Sequence, residues 1–163
     1  MARAQSAGVL LYRRRGAAIE VLLVHPGGPF WARKDDGAWS IPKGEIGERE
    51  DPGSAALREF REELGSDLDG DHAVALDPIR QPGGKIVHAW AIEGDFDPSR
   101  LKSNTFTIEW PPRSGRRQEF PEVDRAEWFT LEVARRKIQK GQAELLDQLE
   151  RRVTGGDSRS LSG

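Results

Sequence analysis

The chain of 163 residues contains no cysteine and has only one methionine and one tyrosine. The lack of cysteine excludes disulfide bonds, thiolate catalysis and zinc sites built from cysteine. Its apolar runs, at residues 8–12 and 19–24, are far too short to cross a bilayer. Residues 1–5 lack the apolar stretch of a secretory signal, so the cytoplasm is the expected compartment.

An excess of charge of one sign is also lacking. The 25 lysines and arginines nearly balance the 27 acidic residues, and the net charge is −2. A balanced chain carries no electrostatic footprint for nucleic acid at the level of the whole molecule. We therefore expect no nucleic acid and no membrane among its partners. The oligomeric state cannot be read from the sequence.

Residues 44–65, GEIGEREDPGSAALREFREELG, contain a well-marked helix. Asp51 is a suitable N-cap, Pro52 fits the first helical position, and Gly65 ends the helix as a C′ residue. Four apolar residues define the packing side of this helix: Ala56, Leu57, Phe60 and Leu64.

Three carboxylates, Glu59, Glu62 and Glu63, stand at positions i, i+3 and i+4 of this helix. That spacing places them on one face, about 5–6 Å apart, where their mutual repulsion favours a compensating cation. Hard divalent cations take such oxygen ligands, so the arrangement predicts a metal cradle. The alternative is a solvated face that Arg58 and Arg61 neutralise through pairs one turn away.

The complete pattern of this segment resembles the signature box of the Nudix hydrolase family. The matching positions are Gly44, Glu50, Arg58, Glu59, Phe60, Glu62, Glu63 and Gly65. Phe60 and Ser66 replace aliphatic residues that are usual in the family, and both occupy packing positions. The resemblance extends over roughly residues 6–153.

The resemblance implies hydrolysis of a nucleoside diphosphate linked to a further group, by attack of water at phosphorus with Mg²⁺ (or Mn²⁺). It makes Glu62 and Glu63 metal ligands, with Glu50 beside them. Glu59 becomes a further ligand or the general base, and Arg58 orients the carboxylates. A simple helical pair with Glu62 is the alternative role for Arg58.

Two further contributions are implied from outside the helix. A backbone carbonyl of Lys43 or Gly44 would complete the shell of the metal ion. Several family members also bring a carboxylate from a distant loop, six residues before an aromatic residue of the last strand. Counting back from Trp128 gives Glu122, with Glu119 as the second candidate.

The residues before the box bear on the substrate. The motif Trp39-x-x-Pro42-Lys43-Gly44 resembles the corresponding segment of diadenosine tetraphosphate hydrolases that cleave asymmetrically, and that of diphosphoinositol polyphosphate hydrolases. Glu45 departs from the histidine that is common there. A diadenosine polyphosphate is the best guess. The alternative substrates are a nucleoside triphosphate and a diphosphoinositol polyphosphate. The alternative to an enzyme is a binding module that senses a nucleotide without cleaving it.

Substrate contacts are also predicted in the Pro- and Gly-rich loop 26–37. Lys43 would hold a phosphate, and Arg33 and Lys34 could reach phosphates or be solvated. Trp31 is the candidate for stacking on a base. Trp90 and Trp110 lie in predicted strands and are assigned to the core.

The order of predicted elements indicates an α+β protein. Strands are predicted at 7–13, 19–25, 72–79, 85–93, 105–110 and 125–129, and helices at 131–140 and 142–153 in addition to the box helix. This order suggests a mixed β-sheet between helical layers, which is the α/β/α sandwich of the Nudix fold. Residues 1–153 would form a single Nudix hydrolase domain, followed by a disordered tail at 154–163.

Overall fold

The structure is a computed structural model that describes the backbone of residues 5–162 and the side chains of residues 5–154. The strands in chain order are β1 (Gln5–Arg15), β2 (Ala18–Pro26), β3 (Lys43–Glu45), β4 (Val74–Ala75), β5 (Ile79–Arg80), β6 (Ile86–Glu93), β7 (Thr105–Glu109), β8 (Arg117–Pro121) and β9 (Val123–Thr130). The helices are α1 (Pro52–Leu64), α2 (Leu131–Lys137) and α3 (Ala143–Ser162). Among the described residues, no helix is both long and apolar enough to cross a membrane.

The main sheet is mixed and has the strand order β4-β6-β1-β2-β9. β1 runs parallel to β6 and antiparallel to β2, and β9 is antiparallel to β2. The short strand β3 pairs with β1, and β5 pairs with β6. β7 and β8 form a separate hairpin.

Alternation of side chains along β1 divides the core into two layers. Val9 and Leu11 pack with Phe60 of α1 on one face of the sheet. Leu10 packs on the other face with Leu145 of α3, in a cluster that includes α2 residues. The sheet therefore lies between helical layers, and the predicted α/β/α sandwich is confirmed.

The caps of α1 agree with the sequence signals. The Asp51 carboxylate accepts a hydrogen bond from the backbone N–H of Ser54, and Pro52 lies at the start of the helix. Gly65 adopts φ of 82°, the left-handed conformation that glycine tolerates best, and its N–H donates to the Arg61 carbonyl. Both ends of the carboxylate-bearing helix are therefore set by local sequence.

Several predicted boundaries are wrong. The strand predicted at 72–79 is divided into β4 and β5, and β3 and β8 were not predicted. β3 is three residues long and contains a glycine, whereas β8 is mostly polar, so neither has an apolar alternation to detect. Helix α2 ends at Lys137, because Ile138 takes an extended conformation.

The predicted disordered tail remains a prediction. The bounds of α3 take its backbone to Ser162. The side chains of residues 155–163, which make up most of the predicted tail, lie outside the described residues.

The segment that leads into β3 is held by a buried amide. Gln142 is fully buried and accepts a hydrogen bond of 3.0 Å from the backbone N–H of Ile41. Its side-chain N–H group donates to the Ser40 hydroxyl at 3.0 Å. These bonds connect the turn that precedes α3 to the segment that leads into β3.

Replacing Gln142 with leucine should lower the free energy of unfolding by roughly 1–3 kcal/mol, because the buried N–H of Ile41 loses its acceptor. Chemical denaturation monitored by circular dichroism measures this change. Lys140→Gln, at an exposed position of the preceding turn, is the control and should be near neutral. Equal stability of the two variants would contradict this role for Gln142.

Candidate active site

Arg58 is the centre of a carboxylate network on α1. Its Nε and Nη2 donate to the two carboxylate oxygens of Glu50 at 2.7 and 2.9 Å. Its Nη1 donates to Glu59 at 3.0 Å and to Glu62 at 2.7 Å, and Nη2 also donates to the Glu45 carbonyl at 3.1 Å. The pair with Glu62 is thus one part of a larger network, and the guanidinium orients three carboxylates at once.

The network has the expected electrostatic effect. Hydrogen bonds from Arg58 and from the Gly47 backbone lower the pKa of Glu50 to about 2. The bond to Glu50 contributes most to raising the pKa of the Arg58 guanidinium. Both groups therefore stay ionised at neutral pH, and Arg58 has little capacity left to compensate further negative charge.

Glu63 accepts none of the hydrogen bonds that Arg58 donates, and it is only 9% exposed. Burial, followed by the nearby charges of Glu59 and Glu122, raises the pKa of the Glu63 carboxyl to about 9. Lys43 opposes this shift through its ammonium and through a backbone hydrogen bond to the Glu63 carboxylate. The Glu59 carboxyl also has a raised pKa, with burial as the main cause.

Gly44 explains why the box begins with a glycine. A Cβ atom at this position would collide with the carboxylate of Glu59. The absence of a side chain lets β3 approach α1 closely, so that the strand backbone and the helix carboxylates share one edge of the sheet. A similar approach occurs at Gly8 of β1, where a Cβ would crowd Pro42 and Lys43.

The register of β3 distinguishes the two candidate backbone carbonyls. Ile46 donates to the Gln5 carbonyl and Val9 donates to the Pro42 carbonyl, so the alternation of an antiparallel ladder directs Gly44 towards β1. The backbone groups of Lys43 point away from β1, which agrees with its hydrogen bond to Glu63. The carbonyl of Lys43, but not that of Gly44, therefore faces the carboxylates.

A cavity of about 180 Å³ opens beside these groups. Lys43, Glu63 and Glu122 line it together with Ser40 and Gln139. Of the two glutamates predicted as distant contributors, the structure thus brings Glu122 to the cluster.

Glu119 lies elsewhere. It is within β8, paired opposite Thr107 of the hairpin, and it does not line this cavity. Both loop glutamates were predicted from the same weak spacing. Only the turn between β8 and β9, at Glu122, approaches α1 closely enough to bring a carboxylate to Glu59 and Glu63.

A second lysine, which sequence reasoning missed, lies near the first. Burial and then the charge of Lys85 lower the pKa of the Lys43 ammonium, whereas Glu63 and Glu59 oppose the shift. Lys85 follows a turn and belongs to no recognisable motif, so no sequence signal indicated that it lies near Lys43. Lys43 therefore interacts with both Glu63 and Glu59, and Lys85 adds a second positive charge beside Lys43.

The loop residues predicted to bind substrate lie outside the cavity lining. Trp31 packs against the core, and the Lys34 ammonium lies 5.1 Å from the centre of its ring. Arg33 is exposed. Phe30, which was not singled out, is 64% exposed and contacts Trp110 edge to face at 5.4 Å. Trp110 therefore lies at a partly exposed hairpin end, and its assignment to the core was wrong.

The donor set fits a divalent cation. Glu59, Glu63 and Glu122 lie close together, and burial, reinforced by the neighbouring carboxylates, raises the pKa values of Glu59 and Glu63. Among the described residues, no three Asp, Glu or His side chains are already arranged to hold a metal ion, since Arg58 engages Glu59 and Glu62. Binding of a cation therefore requires these side chains to rotate towards Glu63. Oxygen-only donors suit Mg²⁺ or Mn²⁺.

Comparison with known proteins assigns the family. The family profile described as NUDIX domain matches residues 2–149, which is nearly the whole chain. The chain therefore belongs to the Nudix family, and it is a pyrophosphohydrolase that acts on phosphoanhydride bonds.

Solved structures agree on the fold. A C. elegans Ap4A hydrolase in a binary complex is 22% identical with a TM-score of 0.63, over 92% of this chain and 98% of that one. The NUDIX domain of Shewanella oneidensis NrtR, complexed with ADP ribose, is 18% identical with a TM-score of 0.64, over 94% and 90%. The E. coli ORF135 protein is 21% identical with a TM-score of 0.57, over 94% of each chain.

The raised pKa of Glu63 predicts how pH affects the metal-free protein. Between the ordinary value of 4.5 and about 9, the folded state holds a proton on Glu63 that the unfolded state has released. The free energy of unfolding must therefore fall as pH rises through this window. Glu63→Gln should remove this loss of stability, because glutamine does not titrate. In excess chelator, the melting temperature of the variant should therefore exceed that of the wild type by a margin that grows as pH is raised through this window.

Thermal melts across this pH range measure the difference. Glu119→Gln is the control, because it removes one exposed carboxylate outside the cluster and should follow the wild-type profile. A constant difference between Glu63→Gln and the wild type at all pH values would contradict the buried, protonated state of Glu63.

Proposed function

We propose that this enzyme uses Mg²⁺ or Mn²⁺ to cleave a phosphoanhydride bond in a nucleoside diphosphate-linked substrate, with diadenosine polyphosphates, cut asymmetrically, as the preferred class. The observation that carries the proposal is the buried Glu63 carboxyl group, which lines the cavity with Glu122 and Lys43 and lies close to Glu59. Such a cluster is costly unless a cation and an anionic substrate complete it.

Each residue of the cluster has a proposed role. Glu62, Glu63 and the Lys43 carbonyl would hold the cation, with Glu50 beside them. A bound divalent cation supplies charge neutralisation at the scissile phosphate and increases the acidity of the attacking water. Glu59 would be a further ligand or would take the proton of the water.

Glu122 is the second candidate for that base. It lines the cavity and lies close enough to Glu59 and Glu63 to affect their pKa values. Arg58 would act through the carboxylates that it orients. Phosphoryl transfer depends mainly on such positioning and on charge stabilisation.

The two neighbouring lysines support a substrate with a long phosphate chain. Lys43 lines the cavity, and Lys85 is close enough to affect the pKa of its ammonium. A single lysine ammonium would suffice for a substrate with few phosphates. Two neighbouring ammonium groups favour a substrate that carries additional phosphates beyond the scissile bond. A nucleoside triphosphate or a diphosphoinositol polyphosphate is the alternative substrate class.

A non-enzymatic role is the alternative outside catalysis. The similar NUDIX domain of NrtR was solved with ADP ribose. A module that only binds a nucleotide has no need for every carboxylate of the box. This chain keeps Glu50, Glu59, Glu62 and Glu63, and Arg58 holds three of them in place, which favours catalysis.

The carboxylates should be essential for turnover. Glu62→Gln and Glu63→Gln should each reduce kcat on the order of 10²-fold or more while leaving the fold intact, because preorganised charge is usually the largest catalytic contribution. Excess chelator should abolish activity reversibly, and Mg²⁺ should raise the melting temperature of the wild type. Steady-state kinetics and thermal melts provide the measurements.

Arg61→Ala is the matched control on the same helix. Arg61 is exposed and its partner is Asp67 at 3.7 Å, outside the carboxylate network. Its replacement should cost far less activity. Full activity in chelator, or equally mild effects of the Arg61 and Glu63 substitutions, would refute the metal cradle.

Diadenosine tetraphosphate should be cut off-centre into ATP and AMP. Lys43→Ala should then raise KM or lower kcat most for the longest phosphate chain, because a lost phosphate contact matters only where that phosphate exists. Ion-exchange chromatography resolves the products, and hydrolysis in ¹⁸O-labelled water identifies the phosphorus that is attacked.

Lys140→Ala, which removes an exposed lysine outside the cavity, is the control and should leave the chain-length preference unchanged. Formation of two ADP molecules would contradict asymmetric cleavage. Faster turnover of simple nucleoside triphosphates than of any dinucleotide would favour the alternative substrate class.

A further inference from the structure

The β7–β8 hairpin and the loop that contacts it present aromatic and basic side chains that the proposed chemistry does not use. Phe30 of the loop and Trp110 form an edge-to-face pair at the end of the hairpin, and Phe30 is 64% exposed. Arg116 lies opposite Trp110 across the hairpin and therefore shares its face, and Arg113 lies in the adjoining turn. Both arginines are exposed. We refer to these four residues as the hairpin platform.

The arginines of the platform have no acidic partner in the described part of the chain. Glu109 is the nearest acidic residue along the hairpin, but its carboxylate accepts hydrogen bonds from the backbone N–H groups of Arg113 and Gly115. The charge of the guanidinium groups is therefore available to an external anion.

The end of the hairpin is internally ordered. The backbone N–H of Trp110 donates to the Arg116 carbonyl at 2.8 Å, and the side-chain amide of Gln118 donates to the Trp110 carbonyl at 3.0 Å. The two bonds to Glu109 close the same turn. A preformed surface of this kind loses less conformational entropy when a ligand binds.

The base of the hairpin is attached to the carboxylate helix. The Asn104 N–H donates to the Glu62 carbonyl at 2.9 Å, and the Asn104 carbonyl accepts from the Glu122 N–H at 2.8 Å. The Glu122 carbonyl in turn accepts from the Gly27 N–H at 2.9 Å. The platform therefore has a defined position relative to the candidate active site, and the loop that carries Phe30 lies between them.

The separation along β8 determines what can reach both places. Arg116 lies six positions before Glu122, which corresponds to roughly 20 Å at the spacing of an extended strand. A ligand that contacts both must therefore be long, must carry phosphates to meet the arginines, and must end in an aromatic group to stack on Phe30 or Trp110. A second nucleotide at the far end of a polyphosphate chain satisfies all three conditions.

We propose that the hairpin platform binds the distal nucleotide of a dinucleoside polyphosphate, with Phe30 and Trp110 stacking on the base and the arginines binding phosphates. This inference rests on the proposed function, since the proximal nucleotide occupies the cavity at Lys43. The platform explains how the enzyme would prefer dinucleotides to mononucleotides, which cannot span the two places.

Two variants test the platform while leaving the carboxylates intact. Phe30→Ala removes a stacking surface, and Arg113→Gln with Arg116→Gln removes two guanidinium groups. Each should raise KM for diadenosine tetraphosphate roughly tenfold with little change in kcat, because stacking and phosphate contacts are lost equally in the ground and transition states. KM for ATP should be unchanged.

Arg151→Gln with Arg152→Gln is the matched control, since it removes two exposed arginines of α3 away from the hairpin. Calorimetric titration of the wild type and variants with diadenosine tetraphosphate and with ATP, in excess chelator, measures binding without turnover. Thermal melts confirm that the variants fold, and Trp110→Phe should retain most of the affinity that Trp110→Ala loses.

The outcomes separate the two proposals. Weaker binding of the dinucleotide alone supports the platform, even if the enzyme hydrolyses a different substrate. Equal losses for dinucleotide and ATP, or no loss for either, would overturn it. The same calorimetric titration with a single-stranded RNA oligonucleotide tests the other ligand class. If the variants bound this RNA more weakly but bound the dinucleotide as the wild type does, the proposal would be overturned and the surface would be assigned to nucleic acid.

Discussion

The shared guanidinium of Arg58 is the interaction on which the candidate active site depends. It binds Glu50, Glu59 and Glu62 simultaneously and also donates to the backbone carbonyl of Glu45 at the end of β3. These bonds hold carboxylates that would otherwise repel one another, and they connect α1 to the loop that precedes it. Because Arg58 is fully engaged, it does not neutralise Glu63, which stays buried close to Glu59 and Glu122.

Close approach of backbone and carboxylate is the second constraint. Gly44 lets β3 lie against Glu59, and Gly8 lets β1 lie against the segment that leads into β3. Burial on this edge raises the pKa of Glu63 and lowers that of Lys43, since each charged form loses solvation. The packing that creates the site therefore also sets the proton and metal affinities of its groups.

The position of the hairpin connects this site to the rest of the surface. Backbone hydrogen bonds join its base to the end of α1 and to Gly27, so three distant segments meet beside the cavity. A change in the hairpin should therefore affect which substrates bind, whereas a change in α1 should affect whether they are cleaved. In the proposed arrangement, substrate specificity and chemistry would reside on separate elements that backbone hydrogen bonds hold together.

Local sequence determined α1 with its caps, the face that carries Glu59, Glu62 and Glu63, and the membership of the Nudix family, because helical spacing and capping depend on neighbours along the chain. Only the tertiary structure distinguished Glu122 from Glu119 and the Lys43 carbonyl from that of Gly44. It also revealed Lys85, Phe30 and the exposed position of Trp110. Those results depend on strand register and on contacts between segments far apart in sequence, and no local spacing encodes such contacts.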